Sequence, residues 1–285
     1  MDKIKKLSLL ALVLLLVGIV GSLLTFRPVL RQEAKSEEKV VHEKFSRIKI
    51  ATDNTRVEIL PAAGSAAKIT VSGRAEKGST YHLSTDVKNA VLSIGIKYKQ
   101  RNFISFFPSS LSLKVYVPEK WYESLQVKNN DGRVRAGDLR ARDIRIKTEN
   151  GKIELNHISG DTITAEANDG SSTLENVKAS LVKVKSENGK IVLKNLDSRV
   201  SGKAGDGSIL FTTRHLNHPV ELRANNGNIK IQTEEKPANA TIRASAEDGR
   251  VDIFGSSDGN RVFGSGKPLI QLFTADGNIA VEKTK

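Results

Sequence analysis

The chain has 285 residues, 45 Lys and Arg against 32 Asp and Glu, and no cysteine. That length can bury a sizeable core, which excludes disorder throughout, and the missing cysteines exclude a disulfide framework, a thiolate metal site and a cysteine nucleophile. The net charge of +13 directs attention to anionic partners.

Leu7 to Phe26 is an uncharged apolar run of 20 residues, enough to span about 30 Å of hydrocarbon as a helix. Residues 1–26 are therefore expected to form a cytoplasmic tip and a single-pass transmembrane anchor. Lys3, Lys5 and Lys6 place the N-terminus in the cytoplasm and the C-terminal domain outside the cell membrane. A cleaved signal peptide is the competing reading, but the run is longer than a usual signal core and Ser22 to Phe26 offers no small-x-small site. Residues 27–39, RPVLRQEAKSEEK, carry seven charges of mixed sign and read as a charged, solvated linker, in part helical. Beyond Phe26 the net charge is still +11, once the three lysines and one aspartate before it are set aside.

Residues 40–124 read as an irregular β region that caps the C-terminal body, with candidate strands at 45–50, 56–60, 68–72, 91–96 and 111–117. The Asp53-Asn54 turn before Val57 and Ile59 looks like a degenerate copy of a unit that becomes regular later in the chain. The aromatic cluster RNFISFFP at 101–108 is expected to bury its phenylalanines in the cap, with a partner-binding loop as the alternative.

From residue 125 to 285 the sequence repeats. A turn-like pair precedes Gly132, Gly151, Gly170, Gly189, Gly207, Gly227, Gly249 and Gly277, at spacings of 19, 19, 19, 18, 20, 22 and 28. Apolar residues stand seven and five before the glycine, as in Ile144 and Ile146, and two and four after it, as in Ile153 and Leu155. Alternation with period two marks each flank as a strand with one buried face. In the first four units a further apolar residue stands seven after the glycine, at Leu139, Ile158, Val177 and Leu196, which suggests a third short side. Almost no helical period appears after Phe26. The predicted fold is all-β, a β-solenoid with coils of about 19 residues behind the single-pass helix. Stacked hairpins with type I′ turns fit the same parity, but only stacking requires a constant coil length.

The stretch LKVYVPEKWYESLQVKNNDGRVRAGDL, followed by IKTENGKIEL and VKSENGKIVL, resembles the bacterial putative-adhesin family of unknown function, over about residues 45 to 281. The layout of anchor, linker and solenoid is similar to the LiaG-like members. The resemblance implies a β-solenoid at the cell envelope, with an envelope-stress role, and supplies no catalytic residues.

Chemistry is sparse. Gly255-Ser256-Ser257-Asp258-Gly259 matches G-x-S-x-G, but the glycines and proline after it cannot form the helix a nucleophile elbow needs. His215 and His218 form HLNH with no further ligand nearby and read as a surface corner rather than a zinc site. The Asn, Asp and Glu of the stacked turns line one edge, as Ca²⁺ ligands would, yet these are the residues that tight turns need and no GGxGxD occurs. No cofactor, metal or catalytic group is expected.

Two basic ladders remain. Lys128, Lys147, Lys185, Lys203 and Arg223 stand four before the glycine; Arg133, Lys152, Lys190 and Arg250 stand one after it. Like charges about 5 Å apart in water repel by about 0.8 kcal/mol per pair, a cost that an anionic polymer laid along the stack would relieve. The acidic turns between the ladders offer internal neutralisation instead. The sequence therefore predicts a non-enzymatic, membrane-anchored protein that contacts anionic envelope polymers or another surface protein, and no nucleic acid. The alternative is a polysaccharide-acting β-helix enzyme of the cell envelope.

Overall fold

The computed structural model describes residues 2–26, 32–76, 80–99 and 110–284. Helix α1 (Asp2–Phe26) contains a span, Ile4–Ser22, with mean hydropathy 2.3 and none of it buried against protein. It is long and apolar enough to cross a membrane as an anchor or to serve as a signal sequence. The aromatic cluster 101–108 lies outside the described residues.

The first part of the β body comprises β1 (Gln32–Val41), β2 (Arg47–Ala62), β3 (Ala67–Glu76), β4 (Thr80–Lys88), β5 (Val91–Lys99) and β6 (Ser110–Pro118). The regular body comprises β7 (Trp121–Ala167), β8 (Ser172–Ser186), β9 (Ile191–Asp206), β10 (Ile209–Thr213), β11 (Val220–Asn226) and β12 (Ile229–Thr233). The last part comprises β13 (Ala240–Asp248), β14 (Val251–Ile253), β15 (Asn260–Phe263), β16 (Leu269–Asp276) and β17 (Ile279–Lys283).

Pairing between coils is parallel and keeps its register, apart from a one-residue shift between Lys178 and Leu181 where β8 meets β9. Leu155 lies beside Leu174, Leu174 beside Leu193, and Leu193 beside Phe211. The chain is thus a solenoid rather than a row of hairpins. Each inward position becomes a column, such as Ile191, Ile209, Ile229 and Ile279, all buried. Each such side chain contributes about 1.5–3 kcal/mol of burial. One cluster of these columns, from Val41 to Val281, forms the core.

The third side exists, and its corner has a specific cause. Asp138, His157, Asn176 and Asn195, one per coil, hold φ between 52° and 54°, the left-handed conformation that these residue types tolerate better than most. The next residue, Leu139, Ile158, Val177 or Leu196, then points inward and is buried. Asn176 donates to Asn156 Oδ1 and Asn195 to Asn176 Oδ1, each at 3.2 Å, so the corner is tied from coil to coil.

Both ends depart from simple winding. The degenerate unit is a true coil: β2 pairs parallel with β7, setting Ile48 beside Leu125 and Val57 beside Val134. On its other side β2 pairs with β5 and β6, which come later in the chain but form the outer coil. At the far end β16 lies between β11 and β13, and β17 between β12 and β14. The last segment of chain is therefore inserted beneath the coil that precedes it, and this detour accounts for the spacing of 28. Antiparallel strands β3, β4 and β15 lie against the outer coils.

Residues 32–39 correct the expected linker, since they belong to β1, which pairs antiparallel with β3 over ten residues. The charges of Glu37, Glu38 and Lys39 suit the flank of a sheet, where ionic side chains discourage further pairing. Glu38 bonds to Lys68 at 2.9 Å, and Lys39 Nζ donates to the Leu83 carbonyl at 2.7 Å.

One inward column is interrupted. Ser172 stands between Ile153 and Ile191, fully buried, and its hydroxyl has no hydrogen-bond partner. Ser172→Ala is expected to raise stability by about 1 kcal/mol by removing an unpaired polar group, measurable as a higher denaturant midpoint.

Candidate functional site

In strands of period two, the positions four before and one after the turn glycine must face outward, because their neighbours fill the core. The structure places the predicted cations accordingly. Lys185, Lys203 and Arg223 lie on adjacent coils of one face, Lys185 beside Lys203 and Lys203 beside Arg223. That ladder is not continuous: Glu166 pairs with Lys185 in register on its other side.

Five of the eight candidates meet carboxylates. Lys147 is 3.9 Å from Glu149, Lys185 2.5 Å from Glu187, and Arg223 2.9 Å from Glu221. On the neighbouring face Lys152 reaches Glu154 at 2.7 Å, and Arg133 approaches the same carboxylate at 3.8 Å. Arg135 joins them at 3.6 Å. Burial raises the pKa of the Glu154 carboxyl, but the hydrogen bond from Lys152 and the charges of Lys152, Arg133 and Arg135 outweigh it and hold the group below its ordinary value. The stability this cluster adds is therefore present above the ordinary carboxylate pKa and lost as pH falls through the depressed one. Lys128, Lys190 and Lys203 have no ion pair or side-chain hydrogen bond among the described residues. Arg250, which continues the second ladder, is exposed, and its backbone N–H is bonded to Asn278 Oδ1.

The turn edge between the faces is closed chemically. Asn130 donates to Asp53 at 3.0 Å, Asn150 to Asp131 at 2.8 Å, Asn188 to Asp169 at 2.5 Å and Asn226 to Asp206 at 2.7 Å. Asn168 bonds to Glu149 in the same way. Each of these five carboxylates thus accepts an amide from the next coil, and among the described residues no three acidic or histidine side chains gather where a metal ion could sit.

The turn glycines stack as a column, in the order Gly132, Gly151, Gly170, Gly189, Gly207, Gly227, Gly277 and Gly249. Only Gly132, Gly249 and Gly277 of this column have positive φ. For the others the requirement is space: a Cβ on Gly151, Gly170, Gly189, Gly207 or Gly227 would strike the carbonyl of the glycine one coil below.

The paired histidines separate. His218 Nε2 lies 2.7 Å from Asp197, whereas His215 faces Glu235 at 3.9 Å. Ser257 lies in the loop between β14 and β15, which leads into a strand and not a helix. Sequence reasoning missed Glu154, which joins Lys152 beside it to Arg133 and Arg135, and Glu166, which meets Lys185 only across coils. It also missed Lys183, which with Lys185, Lys203 and Glu166 borders a depression of about 280 Å³.

The family model described as Toastrack DUF4097 matches residues 45–282. No curated protein matches the chain. A putative adhesin from Bacteroides fragilis has a similar fold, with a TM-score of 0.53 at 12% identity over 88% of this chain and 97% of its own. A putative lipid binding protein from Parabacteroides distasonis gives 0.50 at 14% identity, over 89% and 97%.

Proposed function

The chain belongs to the Toastrack DUF4097 family, and on that premise we propose that it is a non-enzymatic envelope protein, anchored by α1, whose exported solenoid holds a polymer of phosphodiester anions along its basic face. The observation that carries the reading is the group of lysines around the depression at Lys183, Lys185 and Lys203, in a body of net charge +11. Glu166, in register with Lys185, and Glu187, 2.5 Å from it, balance two of the three charges and leave one in excess. Lys128 extends the same face, and Lys190 borders it across the turn edge. An envelope-stress role would follow from occupancy of this face by such polymers.

Binding of this kind is electrostatic, so it weakens with salt as the screening length falls to about 8 Å at 0.15 M. The full chain in detergent is expected to bind poly(glycerol phosphate) at low ionic strength and to release it as salt rises. Charge reversal of Lys128, Lys190 and Lys203 together breaks no internal ion pair and should weaken binding by at least about tenfold. Phosphatidylglycerol vesicles form the second arm. Stronger binding to vesicles than to the soluble polymer would assign the face to the membrane surface, and unchanged binding by the triple variant would refute it.

A further inference from the structure

Trp121 is the only tryptophan in the chain, and it is 54% exposed. A large aromatic ring left in water at the edge of a groove is the kind of group that contact surfaces use, with an apolar face and a polar N–H. Trp121 borders an open depression of about 540 Å³ on the third side, away from the lysine ladders, together with Arg140, Ser159, Lys178, Asp197 and His218. A second depression, of about 450 Å³, shares Arg140 and Ser159 with the first and extends it past Glu119 and past Asp138, which His157 faces at 3.6 Å.

The floor of this groove is a column that runs with the stack. Ser159 lies beside Lys178, and Lys178 beside Asp197, on successive coils. Arg140 stands one coil before Ser159, because Gly160 packs against the Ala141 carbonyl. The charges along it are unequally used. Asp197 is engaged by His218 at 2.7 Å, whereas Arg140 and Lys178 have no carboxylate or hydrogen-bond partner among the described residues. Two unpaired cations therefore stand near an exposed ring. The rise from coil to coil is about 4.8 Å, close to the length of one pyranose in an extended chain.

We propose that this groove binds a linear acidic polysaccharide, with one sugar ring stacked on Trp121 and sugar carboxylates received by Arg140 and Lys178. Ring stacking requires a saccharide and the two cations require its acid groups, so neither a neutral glycan nor a plain polyanion satisfies both. The site uses none of the residues tested for phosphodiester binding, and either proposal stands if the other fails.

The sole tryptophan is its own reporter. Fluorescence of the full chain in detergent is expected to change saturably on titration with tetragalacturonate. Cellotetraose and inorganic polyphosphate should each bind at least about tenfold more weakly, and Arg140→Ala with Lys178→Ala should cost a similar factor while leaving the circular dichroism spectrum unchanged. Calorimetry on Trp121→Ala, which removes the reporter, should show the same loss. The proposal is overturned by an absence of saturable change, by equal affinity for polyphosphate, by a response only to phosphatidylglycerol vesicles, or by a double variant that binds as tightly as the original.

Discussion

Gly170→Ala is expected to destabilise the solenoid by about 3 kcal/mol, although this glycine does not adopt a left-handed conformation. The cause is stacking. A Cβ at this position would collide with the carbonyl of Gly151 and crowd its carbonyl carbon at 2.8 Å and its amide nitrogen at 3.1 Å. All three are backbone atoms held by the coil below, so no side-chain rotation relieves the overlap. The melting temperature should fall by roughly 6–12 °C. Gly137→Ala is the control, since its Cβ would meet only the Asn156 carbonyl at 3.8 Å. That substitution should be neutral or stabilising by about 0.5 kcal/mol through reduced freedom of the unfolded chain. Equal losses at both sites would show that close approach to Gly151 is not what requires glycine at position 170.

Asn129→Ala is expected to cost about 2–4 kcal/mol, because it leaves two buried groups without partners. Asn129 is fully buried; its Nδ2 donates to the Thr55 carbonyl at 3.0 Å, and its Oδ1 accepts from Thr52 Oγ1 at 2.9 Å. These bonds join the first regular coil to β2, so the loss should appear as faster amide exchange in β2 as well as a lower denaturant midpoint. Its neighbour Asn130 makes a bond of ordinary length to Asp53 in water. Asn130→Ala should therefore cost only about 0.5 kcal/mol. Similar effects from the two substitutions would mean that the buried asparagine does not fasten the coils.

The parts most legible in the sequence were those where one residue answers to one local rule. The 19-residue spacing of the glycines and the alternation of Ile, Val and Leu around them specified coils, and the in-register pairing of Leu155, Leu174 and Leu193 meets that expectation. The Asp53-Asn54 turn was legible as a worn copy because Val57 and Ile59 kept their offsets. The left-handed corner had a signal that went unused: Asp138, His157, Asn176 and Asn195 recur every 19 residues and are types that tolerate positive φ. Residues 32–39 misled for a physical reason, since charge density marks a solvated linker and an outer strand alike. The basic ladders were visible as columns, but their neutralisation by Glu154 and Glu187 was only partly so. Glu187 lies two residues from Lys185 in sequence, whereas Glu154 gathers Arg133 and Arg135 from an adjacent coil.

By itself the sequence determined an apolar helix, an all-β body and the length of each coil, because these come from hydrophobic period and turn chemistry within a single unit. Only the tertiary structure decided the order in which coils stack, since β2 and β16 each lie between segments far from them in the chain and nothing local distinguishes an inserted strand from a terminal one. It also decided which cations remain uncompensated, because an ion pair between coils depends on register, and register is fixed by the packed columns of the core rather than by the charges themselves.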